Sequence, residues 1–280
     1  MHLRFCFVCF ISMATAQRAP AIDVPGPFPP RIIETFDDYP PSFDLKTVYP
    51  LANSANPNGA IVTDSSLYNG IEGSAAEFDP VTTMNGALHR IHIDELSILD
   101  PAIFGPLIFR ADIYDDGITE FKRVHVDARF QPTVGGSQNI IQMGMRPFPG
   151  GQFGHAQLGF PGSPSIWKGF RLPEEMDERV EIGPGWHRFS VMISMTELVY
   201  QLDLHRDGTV DAVDIEPVFL LPVGFNEVRF GKLGFHPEPA LVAFDNIRLA
   251  AIPEPAAATL TVAGSLLMAA KLRRRAAMRT

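Results

Sequence analysis

The densest run of residues able to do chemistry is Asp203-Leu204-His205-Arg206-Asp207-Gly208-Thr209-Val210-Asp211-Ala212-Val213-Asp214. Carboxylates are hard oxygen donors, and four of them around a glycine turn suit a divalent cation. The same spacing also describes an Asp-Gly hairpin whose alternating acids face water, and both readings stay open. Trp167 lies in the Gly/Pro-rich stretch Gly-Ser-Pro-Ser-Ile-Trp-Lys-Gly-Phe, where its ring is either a stacking platform for a sugar or an ordinary half-buried loop tryptophan. His89, His92 and Asp94 gather metal-ligand types, but residues three apart in a strand face opposite ways, so no metal site is expected there. The acids of Glu175-Met176-Asp177-Glu178-Arg179-Val180-Glu181 follow Pro173 and read as a solvated loop. A GxSxG elbow, a P-loop and an HExxH pair are all missing from the sequence, so no catalytic residue is assigned.

The elements that must position these groups are strands. In 122–130, Val124, Val126, Ala128 and Phe130 alternate with Arg123, His125, Asp127 and Arg129. Phe189, Val191, Ile193 and Met195 share one face, and Ile91 and Ile93 oppose Arg90, His92 and Asp94. Period-2 alternation of this kind predicts half-buried antiparallel strands with one solvated face. Asp116-Gly117, Gly135-Gly136, Gly150-Gly151, Pro184-Gly185 and Asp207-Gly208 supply the turns. With 25 Pro and 23 Gly, no long helical period and no internal repeat, the chain predicts an all-β antiparallel sandwich or jelly roll over residues 31–250. Trp186, at the start of a strand, is expected in the core.

Charge narrows the partners. Six of the 23 Lys and Arg lie in the terminal segments, while none of the 32 acids lies in 1–16 or 256–280, so the middle is strongly acidic. Such a body does not track nucleic-acid backbones, and it suits divalent cations or neutral glycans. The two cysteines, Cys6 and Cys9, both precede the expected cleavage site, which removes disulfides and thiol chemistry from the body.

The ends carry an address. Arg4, an apolar run from Phe5 to Met13, and the small-x-small triplet Ala14-Thr15-Ala16 read as a signal peptide over 1–16, cut by signal peptidase before Gln17. A Pro-rich linker follows over 17–30. At the other end, 256–270 form an uncharged apolar stretch, about 22 Å long as a helix, and a basic tail follows over 271–279. That basic cluster holds the last residues inside and leaves a single-pass membrane helix with the body outside.

Three resemblances sharpen these readings. Pro253-Glu254-Pro255, then the apolar helix, then Arg273-Arg274-Arg275, resembles a PEP-CTERM sorting signal over 251–280. That resemblance implies recognition by an exosortase-type processing enzyme and delivery to the outer envelope, cell surface or extracellular matrix. Gly185-Trp186-His187-Arg188-Phe189-Ser190-Val191, the strand 198–204 and the closing Val242-Ala243-Phe244-Asp245-Asn246-Ile247-Arg248-Leu249 resemble laminin-G/concanavalin-like sandwiches, with Phe36-Asp37-Asp38-Tyr39 as the matching first strand. The run 203–214 resembles a dockerin or EF-hand calcium loop. By that resemblance the ligands are Asp203, Asp207, the Thr209 carbonyl, Asp211 and Asp214, although His205 and Asp214 depart from the pattern. Together these imply a non-catalytic, polysaccharide-associated envelope protein. The alternatives are a divergent polysaccharide-cleaving enzyme on the same fold, although 175–181 lacks the carboxylate spacing of laminarinase-type glycanases, and a purely structural surface protein.

Overall fold

The computed structural model describes residues 31–51, 59–64, 73–78, 87–93, 98–117, 123–130, 139–148, 151–159, 166–172, 175–217, 224–232 and 241–252. The expected signal peptide, Pro-rich linker and sorting tail lie outside the described residues, and so do the positions Ala14, Ala16, Gln17, Pro253, Glu254, Pro255, Arg273, Arg274 and Arg275. Among the described residues, no helix is long and apolar enough to cross a membrane.

The described residues form sixteen strands: β1 (Ile32–Glu34), β2 (Ile61–Asp64), β3 (Ser74–Phe78), β4 (Leu88–His92), β5 (Leu107–Asp115), β6 (Val124–Phe130), β7 (Asn139–Phe148), β8 (Gly151–Gly159), β9 (Ile166–Gly169), β10 (Arg171–Leu172), β11 (Glu175–Arg179), β12 (Gly185–Ile193), β13 (Glu197–Asp203), β14 (Ala212–Pro217), β15 (Glu227–Lys232) and β16 (Val242–Ala251). Among the described residues the α-helical content is one turn, Pro101–Phe104, capped by the Asp100 side chain.

All the paired strands are antiparallel. An eight-stranded sheet runs β14-β13-β12-β5-β16-β3-β2, with β1 also pairing with β16, and a six-stranded sheet runs β4-β15-β6-β7-β8-β9. Their inner faces share one apolar core. Phe230 of the smaller sheet meets Phe78 and Phe244 of the larger, with ring centroids 6.1 and 5.5 Å apart. At the other end of the core Phe170 stands 6.0 Å from Phe189. Each strand contributes its alternate apolar residues: Phe109, Ala111 and Ile113 from β5, Val124, Val126 and Ala128 from β6, Phe189, Val191 and Ile193 from β12.

Three expectations are corrected. Phe36-Asp37-Asp38-Tyr39 is a turn, not a strand: Phe36 has φ 61° and Tyr39 N–H bonds back to the Phe36 carbonyl, so the first strand is the preceding Ile32–Glu34. The acidic 175–179 segment is a strand, pairing with β10 in a two-stranded sheet. Met195 is 47% exposed, because the strand ends at Ile193 and Met195 falls in the turn before β13. Trp186 is buried as expected, in a second, smaller core cluster on the outer face of the larger sheet with Ala75, Ala243 and Tyr114.

The closing strand carries a β-bulge. Asp245 pairs with Asp112 and Arg248 with Arg110, so Asn246 and Ile247 together stand opposite Ala111, and Asn246 takes φ 50°. One extra residue inverts the alternation. Phe244 faces the core before the bulge; after it, Ile247 and Leu249 face the core and Arg248 is on the outside.

Candidate functional site on the outer face of the six-stranded sheet

Alternation places His125, Asp127 and Arg129 of β6 on the face away from the core, together with Glu227 and Arg229 of β15, Arg90 and His92 of β4, and Gln142 of β7. The registers align one row across all six strands: Arg90, Arg229, Asp127, Gln142, Gln157 and Trp167. At about 4.8 Å between strands, that row spans roughly 24 Å. Trp167 thus belongs to a strand of the sheet rather than to a loop.

The face is not simply solvated. The side chains of Asp127 and Glu227 are fully buried, and His125 is 1% exposed. Each acid is held by the arginine two residues on. Arg129 donates through Nε and Nη2 to the two Asp127 oxygens, and Arg229 donates through Nε to Glu227. On its other side Glu227 has His92 Nε2 at 3.3 Å. Burial by itself would raise the Asp127 carboxyl, but His125 and Arg129 outweigh it and hold the group below the usual carboxylate range. A carboxyl kept low is an ionised anchor, not a general acid.

His125 completes the centre. Its Nε2 lies 3.1 Å from Asp127 Oδ2, and Nδ1 is shielded from solvent without a hydrogen-bond partner. Burial pushes the imidazole pKa down, so the ring is neutral at physiological pH. The register sets Gly231 on one side of His125 and Gly144 on the other. A Cβ on either glycine would strike main-chain oxygen, at 2.0 Å from Ala87 O and 2.2 Å from Val124 O.

His89 behaves as the alternation requires. It points into the core away from His92, accepting from Ala60 N–H through Nε2 and bonding the Tyr49 carbonyl through Nδ1.

The acidic run 203–214 is split by the sheet. Asp203 ends β13 opposite Arg188 on the outer face, whereas Asp214 pairs with Tyr200, whose ring is in the core. Between them the carboxylates accept the loop's own N–H groups: Gly208 to Asp203, Leu204 to Asp211, and Thr209 to Asp207. Among the described residues no group of three His, Cys, Asp or Glu is placed to hold a metal ion. The loop instead delivers Arg206. With His205 and Arg206 at φ 61° and 56°, the Arg206 Nε sits 2.8 Å from Asp112.

Asp112 anchors a second polar cluster, on the outer face of the larger sheet. Arg188 binds it at both oxygens, 2.8 and 3.1 Å, and Asn246 donates to it at 3.1 Å. Burial pushes the neighbouring Asp245 carboxyl up to about 7, against the Asn246 N–H bond that lowers it. Sequence reading missed this cluster. Its signal was Arg110 and Asp112 alternating with Phe109, Ala111 and Ile113.

No family model and no curated protein matches the chain in sequence. Among solved structures, it is similar to the cellulose induced protein Cip1, at 15% identity over 79% of this chain and 97% of that one, with a TM-score of 0.48. It is also similar to the winged bean acidic lectin complexed with methyl-α-D-galactose, at 10% identity over 78% and 97%, TM-score 0.47. A third is the alginate lyase from Klebsiella pneumoniae, at 13% identity over 72% and 87%, TM-score 0.43.

Proposed function

We propose that this chain is an exported glycan-binding protein of the concanavalin/laminin-G-like kind, and that a polysaccharide lies across the outer face of its six-stranded sheet. The observation that carries this reading is the single register row from Arg90 to Trp167. Arginine, glutamine and tryptophan positions follow one another along this row, residue types that suit the hydroxyl edges and apolar faces of a sugar chain. The buried Asp127 and Glu227 pairs give that line a rigid polar floor. The test is binding of the full-length chain to a glycan array, then titration calorimetry with the best ligand. Trp167→Ala and Arg90→Ala are each expected to weaken binding about tenfold. An array at background, or affinities unmoved by both changes, ends the proposal.

The address belongs to the same proposal. Support comes from the signal peptide ahead of Gln17 and from Pro253-Glu254-Pro255 followed by an apolar stretch and Arg273-Arg274-Arg275. Signal peptidase and an exosortase-type enzyme are the processing partners, with a single membrane pass between the two cuts. Intact-mass measurement on the exported protein is expected to find Gln17 at the N-terminus and the basic tail removed. Full-length protein in the cytosol would show that the ends carry no address.

A further inference from the structure

The outer face of the eight-stranded sheet gathers four guanidinium groups, three from two register rows and the fourth, Arg206, from the loop after β13. One row runs Asp203, Arg188, Asp112, Asp245. The next runs Gln201, Ser190, Arg110, Arg248. The first row is balanced around Asp112, which takes Arg188 at 2.8 Å and Arg206 at 2.8 Å. The second is not. Arg110 and Arg248 stand directly opposite one another across β5 and β16, where like charges are destabilising. In both residues Nε is shielded from solvent and has no hydrogen-bond partner. The Asp112 carboxylate, the acid nearest Arg110, is already bound by the other two arginines. The bulge at Asn246 produces this arrangement, because without the extra residue position 248 would face the core.

Two forked donors side by side, short of an acceptor and flanked by Ser190 and Gln201, are complementary to an oxyanion. We propose that Arg110 and Arg248 form a binding site for a sulfate, phosphate or carboxylate group, separate from the row on the opposite sheet. The group is either a free anion or an acidic substituent carried on a glycan, since both present the same oxygens to the two guanidinium forks. One anion between the arginines converts a repulsive pair into a bridged one.

The experiment compares thermal stability and binding of the full-length chain in low-millimolar sodium sulfate against sodium chloride of matched ionic strength. Sulfate is expected to raise Tm and to give a saturable calorimetric signal. Arg248→Gln is expected to keep the fold, to melt no lower than wild type in chloride, and to raise the sulfate Kd about tenfold or more. Arg110→Gln is the second variant and is expected to weaken sulfate in the same way. A parallel arm uses dextran sulfate against neutral dextran. Binding of both sulfate and dextran sulfate assigns the site to a glycan-borne group, and binding of sulfate alone assigns it to a free anion. The proposal is overturned if sulfate and chloride act alike, or if both variants retain the full sulfate response. Loss of neutral-glycan binding through Trp167→Ala reports on the other sheet and leaves this outcome untouched.

Discussion

Arg188 holds Asp112 with both ends of its guanidinium, joining two neighbouring strands whose residues are 76 positions apart in sequence. The carboxylate side chain is fully buried, and Arg206 and Asn246 share it. Removing its charge strands two arginines in a partly desolvated site. Asp112→Asn is expected to lower stability by about 3 kcal/mol, read from the denaturant midpoint at constant m. A loss below about 1 kcal/mol, the level of an exposed ion pair, would show that the cluster is solvated and weak.

The pH dependence contains two opposed contributions. Burial pushes the His187 pKa down to about 4, and Nε2 bonds the Gly183 carbonyl at 2.8 Å. The unfolded chain takes up that proton near pH 6.5 and the folded chain does not. The His187 contribution is therefore present above about pH 6.5 and is lost as the pH falls towards 4. Asp245 has the reverse sign. With its carboxyl pushed up to about 7, the folded state holds a proton that the unfolded chain releases near pH 4. Its contribution is present below about pH 4 and is lost as the pH rises through about 7. Asp245→Asn is expected to make stability rise more steeply between pH 4 and 7, and His187→Gln to flatten that rise. Urea midpoints across this range check both signs, and slopes equal to wild type in both variants would refute the assignment.

Gly231 is required where β15 approaches the chain ahead of β4. It takes φ 147°, and a Cβ there would lie 2.0 Å from the Ala87 carbonyl oxygen, which the main chain can relieve only by separating the strands. Gly231→Ala is expected to cost about 3 kcal/mol. Hydrogen exchange should localise the damage to β4 and β15, and unchanged protection there would show that the contact relaxes cheaply.

The loop after β13 is expected to act without calcium. Asp203, Asp207 and Asp211 are engaged by the N–H groups of Gly208, Thr209 and Leu204, and Asp214 lies on the other side of the sheet. Melting temperatures in millimolar calcium and in chelator should coincide, while Asp211→Ala lowers both. A calcium-dependent rise in Tm would mean that the carboxylates exchange those donors for the ion.

The inward faces were legible in the sequence because apolar alternation reports directly on burial. Val124, Val126 and Ala128 face the core as read. The opposite faces were not, because period-2 alternation says which residues are outside, not what covers or pairs them. His125 and Asp127 read as solvated and are buried as a paired centre. The acidic run 203–214 shows a different limit. A loop reading counts ligands along the chain, whereas strand geometry sends Asp203 and Asp214 to opposite faces. The bulge did leave a trace: the core residues Phe244, Ile247 and Leu249 are spaced by three and then two, where an unbroken strand keeps an even count.

The placement of β16 bears on how the molecule is made. It is the final strand among the described residues, yet it sits inside the larger sheet, with β5 on one edge and both β1 and β3 on the other. A nascent chain that has not yet supplied Val242–Ala251 has no common neighbour to join those strands, so the sheet is left in three unconnected parts. Closure of the larger sheet therefore waits for Val242–Ala251, so its long-range pairings form late however early the other strands are made.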